Sequence, residues 1–277
     1  MKIDAHQHFW RYNEDEYGWI GEEMAALRHD FLPSDLEPLQ KDLQITGTVA
    51  VQARSTLDET KWLLQLAEEN DFIRGVVGWV DLCDPDLDIM LERLGSFPAF
   101  CGVRHGIQDE SGDPFLDKED LLHGVGLLSE FDLAFDLLIR PRHLPSTCAF
   151  VERFPYQRFV LDHIAKPPIA TGEIDSWAKD LHQLAAHGNV YCKVSGMVTE
   201  ARWNEWTVDD FRPYLDVVLK AFGTQRIMLG SDWPVCTVAA SYAEVMNLAY
   251  DYASQFSIAE QADVCSGNAW RCYRLGR

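Results

Sequence analysis

The sequence predicts a closed (β/α)8 barrel. Eight short apolar, β-branched runs recur along it, amphipathic stretches separate them, and the 277-residue length suits one large domain. Runs that are apolar throughout and alternate with helices are buried on both faces, which is the mark of a parallel sheet. The predicted strands are 3–9, 47–53, 75–80, 101–105, 134–139, 159–163, 190–195 and 227–232. The helical patterns are 60–70, 87–94, 119–130, 174–186, 208–222 and 242–252, and a terminal helix begins near Ser257. No internal repeat or Gly/Ser linker interrupts this order, so residues 1–277 read as a single domain. The one irregular insertion, 10–33, carries Trp10, Tyr12, Tyr17 and Trp19 and follows the first strand. A long loop at that end of a barrel strand reads as a lid.

Composition narrows the partners. A formal charge of −20 opposes nucleic acid and anionic membranes, which call for a basic face. The seven cysteines include no CxxC pair and read as reduced, mostly buried thiols. No signal peptide precedes His6 and no apolar run is long enough to span a bilayer, so the expectation is a soluble cytoplasmic protein. A closed homodimer is the commonest assembly for such proteins.

Function is sought where a parallel barrel gathers it, at the C-terminal ends of the strands. The chain opens with Asp4-Ala5-His6-Gln7-His8, and the two-residue strand repeat turns His6 and His8 to one side, roughly 7 Å apart. Alone, that pair fits either a metal or substrate site or two hydrogen-bonded core histidines. Polar residues close the other runs too: Gln52, Trp79 with Asp81, Arg104-His105, Asp162-His163, Lys193 with Ser195, and Ser231-Asp232-Trp233. Asp232 emerges just as an apolar strand ends, and a buried carboxylate there needs a cation, a metal or several donors. Alternation puts His163 on the side of Leu161 and Asp162 on the other, which makes His163 a candidate third imidazole and Asp162 a structural partner for Lys166. Arg104 and His105 are adjacent, so a regular strand turns only one of them inward. His29, His123, His143, His182 and His187 lie in loops or helical stretches without a converging partner. No GxSxG elbow, phosphate loop or dinucleotide fingerprint is present.

Together, Asp4-Ala5-His6-Gln7-His8-Phe9-Trp10, Gly78-Trp79-Val80-Asp81-Leu82, Gly102-Val103-Arg104-His105, Leu161-Asp162-His163-Ile164-Ala165-Lys166-Pro167, Lys193-Val194-Ser195-Gly196 and Gly230-Ser231-Asp232-Trp233-Pro234-Val235 resemble the amidohydrolase superfamily. The likeness is to its amidohydrolase-2 branch, which contains sugar lactonases of the fuconolactonase and rhamnonolactonase type. The resemblance implies a hydrolase that opens an aldonolactone to its sugar acid in carbohydrate catabolism, with a small-molecule sugar lactone as partner. Arg104-His105 stands where many members carry a metal-bridging lysine or glutamate, which argues against a two-metal centre. The resemblance implies one divalent metal, zinc foremost, or none, because some lactonases of this branch work without one.

On that footing His6, His8, Asp232 and His163 are the candidate metal ligands. Asp232, His163 and Arg104 are the candidate catalytic groups, with Asp232 taking a proton from water. Gln52, Trp79, Arg104, His105, Lys193 and Trp233 are the candidate substrate ligands, the tryptophans by stacking on a sugar ring. The competing readings are a metal-dependent decarboxylase of the same branch, which releases CO2, a pyrone dicarboxylate hydrolase, and a non-catalytic barrel that binds sugar acids.

Overall fold

The computed structural model describes residues 1–109 and 116–276. Eight parallel strands follow one another in sequence order: β1 (Ile3–Gln7), β2 (Gly47–Val51), β3 (Ile73–Gly78), β4 (Phe100–His105), β5 (Ala134–Leu137), β6 (Phe159–Leu161), β7 (Val190–Val194) and β8 (Ile227–Leu229). β8 returns to β1, where His8 N donates to Trp233 O at 2.7 Å and Asp232 N to His6 O at 2.8 Å. Gly230 lets that seam close, since a Cβ there would lie 2.9 Å from the backbone nitrogen of His6. The result is the predicted (β/α)8 barrel.

The outer layer holds α1 (Pro33–Asp42), α2 (Leu57–Glu69), α3 (Leu87–Leu94), α4 (Glu119–Glu130), α5 (Leu144–Glu152), α6 (Asp175–Ala185), α7 (Val208–Phe222) and α8 (Tyr242–Ala253). Six of these match the helical patterns read from sequence. The periodicity of α1 and α5 is obscured by prolines at their starts, and α1 carries a further one, Pro38, inside it. Two short helices follow, α9 (Ile258–Ala262) and α10 (Asn268–Tyr273). Cys272, Tyr273 and Leu275 pack against Ile3, Val49 and Val77 from the barrel interior, so the chain's end plugs the N-terminal opening. The cysteines are all free thiols. Among the described residues, no helix is long and apolar enough to cross a membrane.

Several strands stop one to three residues short of their predicted ends. Among the residues beyond the shortened ladder, His8, Gln52, His163 and Asp232 line a cavity at the barrel mouth.

Candidate active site

β1 places the first ligands through an irregularity. Asp4 pairs with Thr48 but Gln7 pairs with Ala50, so three steps in β1 match two in β2. The extra residue separates Asp4 from His6. Asp4 turns outward, where Ser231 Oγ at 2.6 Å and Tyr242 OH at 3.1 Å donate to its carboxylate. His6 and His8 turn inward with their Nε2 atoms 3.2 Å apart.

The end of β6 departs further from strand geometry. His163, Ile164, Ala165 and Lys166 all adopt positive φ, between 49° and 62°. Such a left-handed turn costs about 1–2 kcal/mol per non-glycine residue, and conformations of this kind persist where surrounding structure demands them. Here it brings His163 round to face Asp232, Nε2 to Oδ1, at 3.9 Å. Its Nδ1 meets Ser195 Oγ at 2.9 Å. Gly196 makes room for this ring: with φ +60°, a Cβ on it would lie 2.6 Å from His163 Nδ1. Asp232, itself at φ 59°, sits 3.3 Å from His8 Nε2 and 3.8 Å from His6 Nε2. Burial alone would raise its pKa, but His163 and His8 hold the carboxyl well below the usual carboxylate range, so it is ionised.

Beneath these groups lies a buried charge network. Lys193 Nζ donates to Asp136 Oδ2 at 2.5 Å and lies 3.1 Å from both Asp162 Oδ1 and His6 Nδ1. Arg104 Nη1 donates to Asp162 Oδ2 at 3.2 Å, lies 3.4 Å from His6 Nε2, and the same guanidinium donates to the Gln52 carbonyl. Tyr273 of the terminal plug donates to Asp136 at 2.7 Å. Burial works against the ammonium of Lys193, yet the two carboxylates raise its pKa and keep it charged. Asp162 is held well below its ordinary value: burial opposes ionisation, and Lys193, His6 and Arg104 overcome it.

A cavity of about 250 Å3 opens above this floor, with His8, Gln52, Arg104, His163 and Asp232 in its wall. Those five candidates are brought together. Lys193 is not a wall residue: it is fully buried among carboxylates and offers nothing to a substrate, which corrects the expectation of a substrate ligand. Trp233 is also corrected, being buried edge-on against Phe9 and Phe31. Trp79 and His105 are absent from the cavity wall as well. The aromatic ring at the mouth is Trp19, from the 10–33 segment. Trp10, Tyr17, Ile20, Leu27 and Phe31 of that segment are buried in the core, while most of its other residues are exposed.

Asp162 pairs with Lys193, Arg104 and His6 and not with Lys166, which lines the cavity. The left-handed turn is why strand alternation misplaced it. Asp136 escaped notice although its signal was present: a carboxylate inside the apolar run Ala134–Leu137 requires a buried partner.

The donor set suits a divalent metal. The Val51 carbonyl, 2.8 Å from His8 Nδ1, can only accept, so the proton sits there and Nε2 carries a lone pair. Burial and the Lys193 ammonium push His6 well below 6.5, so its ring is neutral; in the tautomer that donates from Nδ1 to Asp162 at 3.3 Å, the lone pair sits on Nε2, 3.4 Å from Arg104 Nη1. Two lone pairs and the Asp232 carboxylate then face one another, with ligand atoms all within 4.8 Å. A cation relieves that repulsion, and the carboxylate behind His6 is the usual support of a metal-bound imidazole. His6, Asp162 and His163 form a second such group. Asp162 is already engaged by Lys193 and Arg104, so the first set is the better site.

The model of the amidohydrolase family matches residues 3–275. The chain belongs to the amidohydrolase family. It is 43% identical over 288 residues to a protein of Burkholderia multivorans named L-fucono-1,5-lactonase, covering 99% of this chain and 96% of that one. A Burkholderia ambifaria protein of the same name is 39% identical, covering 100% and 97%. Among solved structures, an amidohydrolase from Burkholderia multivorans with bound HEPES superposes with a TM-score of 0.96 at 42% identity, covering 99% of each chain. A second crystal form of that enzyme, described with bound zinc, gives 0.94, again at 42% identity over 99% of each chain. A 2,6-dihydroxybenzoate decarboxylase from Rhizobium has a TM-score of 0.70 at 14% identity, with 99% of this chain and 98% of that one covered, a likeness of fold alone.

Proposed function

We propose that this amidohydrolase opens a sugar 1,5-lactone of the L-fucono type to its aldonate. The observation that carries the reading is the convergence of His6, His8 and His163 on Asp232, at a cavity that His8, His163 and Asp232 line, in a chain 43% identical over 99% of its length to a protein of that name.

Asp232, held ionised, accepts a proton from the water that attacks the lactone carbonyl. Arg104 reaches from the wall and donates to the oxygen on which negative charge develops. His163 stands between Asp232 and Ser195 and passes the proton on to the departing ring oxygen. Gln52 offers its amide to a hydroxyl, and Trp19 lies over the mouth as the face against which a sugar ring rests. In this reading the 10–33 segment is a cap over the bound lactone. His6, His8 and Asp232 are the residues that would hold a divalent metal, zinc in the first instance. Such an ion polarises an ester carbonyl and acidifies water when bound.

Acid release followed with a pH indicator across five- and six-carbon aldonolactones tests the reading. Rapid hydrolysis confined to lactones sharing the L-fucono stereocentres is expected, and silence across the panel with zinc present would overturn it.

A further inference from the structure

The ammonium of Lys166 is the one cationic group in the cavity wall without a fixed partner among the described residues. Arg104 is committed to Asp162 and to the Gln52 carbonyl. His163 is committed to Ser195 and faces Asp232. Lys166 lines the same cavity, carried there by the left-handed turn at 163–166. Among the described residues no carboxylate lies within ion-pair distance of it; burial lowers its pKa, and the charges of Glu200 and Asp232 oppose that shift. A half-buried ammonium in this position lacks both full hydration and a counter-ion. It is stabilised by an anion that enters with a ligand.

The reaction proposed above makes such an anion. The lactone is neutral and the aldonate carries a carboxylate, which forms beside the negative charge of Asp232 in a chain of net charge −20. Arg104 also reaches the reacting oxygen but is shared with Asp162, so among the described wall residues Lys166 is the cation with no carboxylate partner of its own. We infer that Lys166 receives the carboxylate of the ring-opened sugar acid, and so acts as a product-binding residue that favours the acid over the lactone. This rests on the lactonase reading.

The test compares L-fuconate with its neutral alditol on the unmodified protein by calorimetry, then repeats the acid titration on Lys166→Met and Lys166→Arg. The acid is expected to bind at least about tenfold tighter than the alditol. Lys166→Met is expected to lose most of that margin, weakening the acid about tenfold more than it raises KM for the lactone, and Lys166→Arg to recover it. Equal binding of acid and alditol by the native protein overturns the inference whether or not the variants fold. So does acid binding that Lys166→Met leaves unchanged, or weakens only as much as lactone binding. Failure of the lactonase reading has a separate signature, silence on the lactone panel, whereas failure here leaves turnover present and acid affinity indifferent to Lys166.

Discussion

Replacing Lys193 with methionine tests whether the cation beneath the site is structural. The substitution keeps most of the side-chain volume and removes the charge. Asp136 loses a donor at 2.5 Å and Asp162 one at 3.1 Å, while Tyr273 still donates to the first and Arg104 to the second. Breaking a buried ion pair from one side costs about 3–5 kcal/mol. With those two donors retained, we expect the low end, about 3 kcal/mol, and a melting temperature lower by roughly 6–9 °C. The sign with pH follows from Asp136, whose carboxyl burial already raises from 3.8 to about 6, against the pull of Lys193. Without Lys193 it rises further. A buried carboxyl whose folded pKa lies above its unfolded one destabilises increasingly as pH climbs between the two. The deficit of Lys193→Met is therefore largest at pH 8 and smaller at pH 5, and Asp136→Asn in the same background reduces it. Urea unfolding of the three proteins at both pH values measures this. A deficit under about 1 kcal/mol, or one that fails to shrink at pH 5, would refute the reasoning and return Lys193 to the list of substrate ligands.

Other substitutions probe the mouth and its supports. Asp232→Asn is expected to lower turnover about 100- to 10,000-fold, the usual worth of a general base, while circular dichroism stays unchanged. Gly196→Ala puts a Cβ 2.6 Å from His163 Nδ1 at φ +60°. It should cost about 1–3 kcal/mol in thermal unfolding and depress kcat together with stability. His8→Asn removes one of three converging acceptor atoms, so zinc should raise the melting temperature of the native protein but not of the variant, with metal content by elemental analysis as the check. Burial raises Glu59 to about 7 despite backbone donors at Arg54 and Ala53, so its ionisation costs stability that builds from pH 4.5 to 7. Glu59→Gln should thus gain on the native protein by up to about 3 kcal/mol between pH 4.5 and 8, read from urea midpoints.

The barrel was legible because buried parallel strands leave uninterrupted apolar runs, and eight of them were visible. The inward set of His6, His8, Gln52, Arg104, His163 and Asp232 was legible for a related reason: polar residues at the ends of apolar strands stand out. What strand alternation could not convey was any local break in it. The extra residue in β1 separates Asp4 from His6, and the left-handed turn after β6 swings His163 and Lys166 into the mouth while Asp162 remains in the floor. Lys193 looked like a ligand because period 2 pairs it with Ser195. Which charges meet beneath the mouth depends on β5, where Asp136 supplies its counter-ion, and no spacing within one strand reports that contact. Trp19 reaches the cavity from an irregular segment, beyond the reach of any periodicity.

The measurement that bears most directly on the central claim is the initial rate of acid release from L-fucono-1,5-lactone, recorded side by side for the native protein and Asp232→Asn. The account predicts rapid release by the native protein and release at the background rate of the lactone alone by the variant, with matching circular dichroism. Equal rates from the two proteins, or no release above background from the native one, would contradict it.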